Sequence, residues 1–268
     1  RAVGSDVDEH KIGDRVVALP GFGGYAEQVV VSHERVWKLP DNVSFDAAAA
    51  MPVTYLTSHH MLVHLGNFRT GDTVLVHHAA GGVGTATAQI VRALNGGQIY
   101  GTSSPEKAIF VEEQGMIHIP RGEDFVKRIK DEIGGVHHAL DPVGGKHVME
   151  SYKALRNGGR LYVFGASSAV KGPKRSLLRA LKMWRGTPRF DPIRMMNSNK
   201  AVFGIHMGMW KDEQIAREQM ISLAKMLDQG LIDPVIDSVY RFEDVAEAQR
   251  HIHNRGNRGK VLLDFSPK

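Results

Sequence analysis

Residues Thr73 to Gly84 read TVLVHHAAGGVG, and no other stretch narrows the choice of fold as much. Val74, Leu75 and Val76 form a short apolar run that stops at a cluster of tiny residues, after which helical spacing resumes through Ala86, Ala88, Ile90, Val91 and Leu94. A strand, a tight turn and a helix in that order predict a βαβ unit. Its turn would bring backbone N–H groups and a helix N-terminus against a pyrophosphate, and a large side chain there would block the approach. Ala79, Gly81 and Gly84 fill the three positions of G-x-G-x-x-G, with alanine in the first. Glycine clusters also make ordinary turns; the flanking strand and helix favour a dinucleotide site here. Ala80, Gly81, Gly82, Val83 and Gly84 are therefore the expected cradle.

The next strand, Gln98 to Thr102, speaks to which dinucleotide. NAD sites usually carry an acidic residue about 20 positions beyond the glycines, where it accepts hydrogen bonds from the ribose 2′-hydroxyl. Here the strand runs into Ser103, Ser104, Pro105, Glu106 and Lys107, with no carboxylate at its tip. Two hydroxyls and an ammonium suit a 2′-phosphate, which favours NADP(H). The same serines also suit capping of a helix that begins near Pro105, and both uses are compatible.

At 268 residues with 42% hydrophobic content the chain can bury a sizeable core, in one large or two coupled domains. It has no apolar run long enough to cross a bilayer and no signal-peptide core at its start, so a cytoplasmic setting is expected. With no cysteine there is neither a disulfide nor thiolate-bound zinc. The 14 histidines include the adjacent pairs His59-His60, His77-His78 and His137-His138. Neighbours in a strand point to opposite faces and H-E-x-x-H is absent, so no metal site is expected.

Strand and helix patterns continue to alternate after the first unit, with strands ending at Gly, Ser or Asp: Ile117 to Ile119, the HHALD run to Asp141, Arg160 to Gly165 and Ala201 to Gly204. This predicts an α/β fold with a doubly wound parallel sheet, the ligand lying over the carboxyl ends of the strands. Thr102 to Ser104, Asp141 to Gly145 (including Val143), Gly165 to Ser168 (including Ala166) and Gly204 to His206 would line one crevice. The chain ends read differently. Residues 11 to 39 contain KIGDRVVAL, GGYAEQVVV and WKLP, short alternating strands of an antiparallel β domain. Asp212 to Gln229 is an amphipathic helix, followed by a strand in VIDSVYRF, a helix from Glu243 to Asn254 and a strand in KVLLDF. The two ends are expected to pack together, giving divisions at 1–51, 52–209 and 210–268.

Gly13-Asp14-Arg15-Val16, GGYAEQVVV, YLTSHHML at 55 to 62, AAGGVG at 79 to 84, DPVGG at 141 to 145 and GKVLL at 259 to 263 together resemble the zinc-independent quinone oxidoreductase branch of the medium-chain dehydrogenase/reductases. Within it, GPKRSLL at 172 to 178, MMNSNKAVFGIHMG at 195 to 208 and IDPVIDSVYRFEDVAEA look like the vesicle amine transport protein group. The resemblance implies a Rossmann domain at 52–209 inserted between two pieces of a GroES-like catalytic domain, and a homodimer. It also implies a β-rich segment upstream of Ala2 to Val7, one wall of the substrate pocket, so a shortened N-terminus is expected. Thr57 matches the threonine near the nicotinamide, Gly81 to Gly84 the pyrophosphate turn, Lys107 the base on the 2′-phosphate, and Phe203, Gly204, Ile205 and His206 the segment beside the nicotinamide. Tyr55 and Thr57 are the candidates at the reacting end, against a core role for Tyr55 and a back-bond within a helix for Thr57.

The chemistry implied is hydride transfer from NADPH to a quinone or to the β-carbon of an α,β-unsaturated carbonyl, an electrophilic small molecule that needs no metal Lewis acid. A second reading comes from KGPKRSLLRALKMWRG at 171 to 186, six basic residues without an acidic one among leucines and Trp184. That pattern suits a helix lying on an anionic membrane, or else a lid or dimer contact with solvated charges. A third keeps the NADPH site with little or no turnover, as a lipid-handling or regulatory protein. Nucleic acid is not an expected partner: the net charge of +5 is modest and no stacking array is evident.

Overall fold

The computed structural model describes residues 1–167 and 177–266. Near the start, β1 (Val16–Ala18) and β2 (Val36–Lys38) pair antiparallel. Helix α1 (Phe45–Ala50) opens with the Ser44 hydroxyl accepting from the Ala47 amide, and α2 (Pro52–His59) opens on a proline, which gives up no hydrogen bond there. The expected strand in GGYAEQVVV does not form: Val30 is fully exposed and the segment has no ladder partner among the described residues. Alternation alone makes no strand without a neighbour to bond.

The apolar run becomes β3 (Val74–His77), and α3 (Gly82–Ala93) follows the glycine turn. Then come β4 (Ile99–Ser103), α4 (Ala108–Glu113), β5 (Ile117–Pro120), α5 (Phe125–Ile133), β6 (Val136–Asp141), α6 (His147–Ala154) and β7 (Leu155–Val163). Strand β7 begins earlier than the sequence suggests, because Leu155 already pairs with Val136 before an irregularity in the register. Helices α7 (Leu177–Gly186) and α8 (Pro192–Ser198) precede β8 (Ala201–Gly204).

Strands β3 to β8 form one six-stranded sheet in the order β5-β4-β3-β6-β7-β8, every pair parallel. This is the expected doubly wound Rossmann sheet, and its order reverses between β3 and β6. Period-two alternation sorts the strands onto two cores. Val74, Val76 and Leu140 face α2 and α3, whereas Leu75, Ala139 and Leu161 face α5 and α6.

The rest of the chain returns to the beginning. Helix α9 (Glu213–Asp228), capped by Asp212, packs on α2, and α10 (Val245–His253) connects β9 (Ile236–Arg241) to β10 (Lys260–Asp264), which pair parallel. Helix α1 contacts both of these strands, and Arg35 meets Glu213 at 2.6 Å. Among the described residues no helix is long and apolar enough to cross a membrane.

Candidate functional site

The order reversal leaves a crevice over the carboxyl ends of β3 and β6, and the glycine turn lies on its floor. A Cβ on Gly84 would fall on the backbone of Ala79, so helix α3 can approach β3 only with glycine at that position. A Cβ on Gly82 would come within 2.8 Å of Thr54 Cγ2 and 2.9 Å of the Lys260 stem. The turn is thus walled by α2 on one side and by the start of β10 on another. The Gly259 amide donates to the Ala80 carbonyl at 2.8 Å, and burial pushes the Lys260 ammonium below its ordinary pKa. Lys260 is a cation beside the cradle that the sequence reading quoted only as part of a motif.

At the tip of β4 the expected phosphate ligands have other partners. The Ser103 hydroxyl is buried, donating to the Ser104 carbonyl and lying 3.0 Å from His118 Nε2. Ser104 hydrogen-bonds the Glu106 carboxylate and holds its pKa down. Lys107 Nζ donates to the carbonyls of Arg255 and Asn257 at 2.7 and 2.6 Å, tying the β4 tip to the loop before β10. Burial lowers its pKa, and the positive charges of Arg258 and Arg121 lower it further. Lys107, Arg121 and Arg258 therefore stand at this tip together with the carboxylates of Glu106 and Asp237, where the sequence reading put two hydroxyls and one lysine.

Asp141 closes β6. Its Oδ1 accepts from the amides of Val143 and Gly144 at 2.7 and 3.1 Å, and its Oδ2 from Ser151 and His147 at 2.7 and 2.9 Å. Burial raises the pKa, but the His147 bond, the charges of His77 and His147, and Ser151 outweigh it and hold the carboxyl below the usual range. The loop it shapes packs on the next one: a Cβ on Gly165 would lie 2.7 Å from the Pro142 carbonyl oxygen, and Gly144, at φ +75°, approaches Ala166. Thr102, Asp141, Val143, Gly165 and Ala166 are thus gathered along the carboxyl edge. Phe203 stacks on Tyr162 with centroids 5.5 Å apart, the Ile205 amide donates to Val163, and His206 caps a short turn at Met207–Met209.

Both expected residues of the reacting end have internal partners. Thr57 donates to the Val53 carbonyl one turn back at 2.6 Å. Tyr55 is in the core, raised in pKa by burial, and donates to Gln89 Oε1 at 2.6 Å. Gln89 in turn bonds both backbone groups of Asp233, so Tyr55 braces the C-terminal segment against α3.

Just past His206 a cavity of about 650 Å³ opens between the first β pair and α2, lined by Leu19, Tyr25, Trp37, Val53, Leu56 and Trp210. Trp37 is buried, and its indole N–H finds no hydrogen-bond partner among the described residues. Nothing in the sequence singles it out, since an unmet donor is visible only in three dimensions. Of the basic stretch at 171–186, residues 171–176, and Ser168 before it, lie outside the described residues, while Leu181 and Trp184 on α7 are exposed.

A profile of the zinc-binding dehydrogenase family matches residues 115–263. The human synaptic vesicle membrane protein VAT-1 homolog is 35% identical over 271 residues, covering 100% of this chain and 69% of that protein. Its Danio rerio counterpart is 34% identical over 270 residues, covering 99% and 56%, so the chain spans little more than half the length of that relative. Among solved structures, the human VAT-1 homolog-like protein matches with a TM-score of 0.82 at 31% identity, over 100% of this chain and 76% of that one. The Escherichia coli quinone oxidoreductase, solved in complex with NADPH, matches with a TM-score of 0.81 at 26% identity, over 97% and 78%.

Proposed function

This chain belongs to the medium-chain dehydrogenase/reductase superfamily, among VAT-1 homologues and quinone oxidoreductases, and from that premise we propose that it is an NADPH-dependent reductase of quinones or α,β-unsaturated carbonyls. The observation that carries the reading is the glycine cradle at the order reversal of the sheet, too narrow for a side chain, with Lys107 among further cations beyond the tip of β4. Bound there, the dinucleotide would supply hydride to an electron-poor acceptor. The α3 N-terminus and the turn amides would take the pyrophosphate. Lys107, Arg121 and Arg258 would favour the 2′-phosphate over a bare hydroxyl.

The apolar cavity beside Met207 suits a flat conjugated acceptor, whose rings Leu19, Val53, Leu56 and Trp210 would hold in place. Exclusion of water falls to the same apolar walls. The matched family is named for zinc, and the alcohol-dehydrogenase catalytic zinc is held by two cysteines and a histidine. This chain has no cysteine, so no step is routed through a metal. NADPH oxidation with an ortho-quinone, against NADH as comparison, tests the reading. Turnover that prefers NADPH is expected; equal use of NADH, or no turnover by a protein that binds NADPH, overturns it.

A second reading rests on exposed Leu181, Trp184, Ile193 and Met196, which stand among the exposed Arg185, Arg189 and Arg194. It is a peripheral contact with an anionic membrane, compatible with reductase activity. Sedimentation with phosphatidylserine vesicles should fall on Trp184→Ser with Arg185→Ser; unchanged sedimentation removes this reading.

A further inference from the structure

We propose that His77, Asp141 and His147 form a zinc site whose fourth position opens into the cavity between β4, α5 and α6. Three elements bring the ligands together. His77 ends β3 on the face of Leu75, Asp141 ends β6 on the face of Ala139, and His147 is the first residue of α6. His77 thus lies on the α5/α6 side of the sheet, opposite the helix that follows the glycine turn. The ligand atoms of the three residues all lie within 4.8 Å of one another, and His147 Nδ1 is already 2.9 Å from Asp141 Oδ2. A tetrahedral ion with bonds of about 2.0–2.2 Å holds its ligands about 3.3–3.6 Å apart, so each atom moves by less than about 1 Å.

The Ser151 hydroxyl marks the point of convergence. It stands 3.0 Å from His77 Nε2, 2.7 Å from Asp141 Oδ2 and 3.4 Å from His147 Nδ1. It also donates to the His147 carbonyl at 3.1 Å, so its proton keeps an acceptor when its oxygen faces an ion. The charge balance points the same way. Asp141 is fully buried, and its hydrogen bonds come from two amides, a hydroxyl and an imidazole.

Outer partners are in place. His77 Nδ1 lies 2.8 Å from the Thr102 hydroxyl, and the second Asp141 oxygen is fixed by Val143 and Gly144. His147 is about a quarter exposed and lines a cavity of about 650 Å³ with Thr102, Arg121, Phe125 and Glu150, which gives an entry path and room for a water as fourth ligand. Two imidazoles and one carboxylate favour zinc over magnesium or calcium, which take oxygen ligands.

The test uses the whole chain, stripped with a chelator and titrated with cobalt(II), then with competing zinc. One equivalent should bind with the strong visible absorption of a tetrahedral site, zinc should displace it, and zinc should raise the thermal midpoint. His147→Ala should weaken binding at least about tenfold. His147→Cys should bind and add a thiolate-to-cobalt band, which also serves if the alanine variant fails to fold. A folded parent that takes up no equivalent of cobalt overturns the proposal, as does a His147→Ala protein that binds as the parent does. None of these readouts depends on turnover.

Discussion

At the end of β3 the chain turns by having almost no side chains; at the end of β6 it turns around a carboxylate. The first turn is held by contact, since Gly82 and Gly84 let Thr54, Lys260 and Ala79 close to van der Waals distance. The second is held by hydrogen bonds that converge on Asp141 from its own loop and from α6. Both present backbone to the same crevice, yet they fail differently. A steric turn is broken by adding an atom, a polar turn by removing one.

The largest effect is expected at the polar turn. Asp141→Ala leaves the amides of Val143 and Gly144 and the His147 imidazole without their shared partner, and should remove about 4 kcal/mol of stability in urea unfolding. Gly84→Ala tests the steric turn: its methyl group would force α3 away from β3, lowering stability by about 2–3 kcal/mol and abolishing NADPH binding in a calorimetric titration. If Gly84→Ala binds NADPH as the parent does, the contrast between the turns is wrong.

Acid should separate the turns further. His77 has a folded pKa depressed from 6.5 to about 3, so the unfolded chain takes up its proton first, and stability falls as pH drops from about 6.5 toward 3. Asp141, also depressed, adds stability above its ordinary 3.8 that is lost below it, in the same direction. His77→Gln should flatten the pH dependence of unfolding by up to about 1.4 kcal/mol per pH unit in that window. An unaltered slope would place the proton uptake on other buried histidines. A smaller effect belongs to the binding surface. Lys107→Met should cost about tenfold in NADPH affinity and much less in NADH affinity, by freeing the 255–257 loop and removing a cation.

The contrast also explains what could be read from the sequence. Smallness is written in the letters: AAGGVG after an apolar run gave both the turn and the sheet class, because few other structures need residues that small there. Polar convergence is not. His77, Asp141 and His147 meet only because β3 and β6 are neighbours in the sheet, and His77 looked unremarkable beside His78. Ser103 shows the reverse case. Its position at a strand tip suggested a ligand, but the parallel register sets Gly101 beside His118 and Ser103 beside Pro120, leaving its hydroxyl within reach of that imidazole. Lys107 follows the strand tip in the sequence, but the carbonyls it holds come from a loop some 150 residues later. Trp37 carries no local signature at all.

The bond from the Gly259 amide to the Ala80 carbonyl has a consequence for the life of the chain on the ribosome. The cradle and the strand that walls it are made far apart in time: at about 5–20 residues per second, the 178 residues from 81 to 259 take roughly 10–35 s to synthesise. During that interval the nascent polypeptide carries a turn shaped for a dinucleotide but open on one side, with the face of α3 that Gln89 offers to Asp233 still bare. Late translation, rather than the folding of the sheet, then sets when the wall beside the glycine turn is in place.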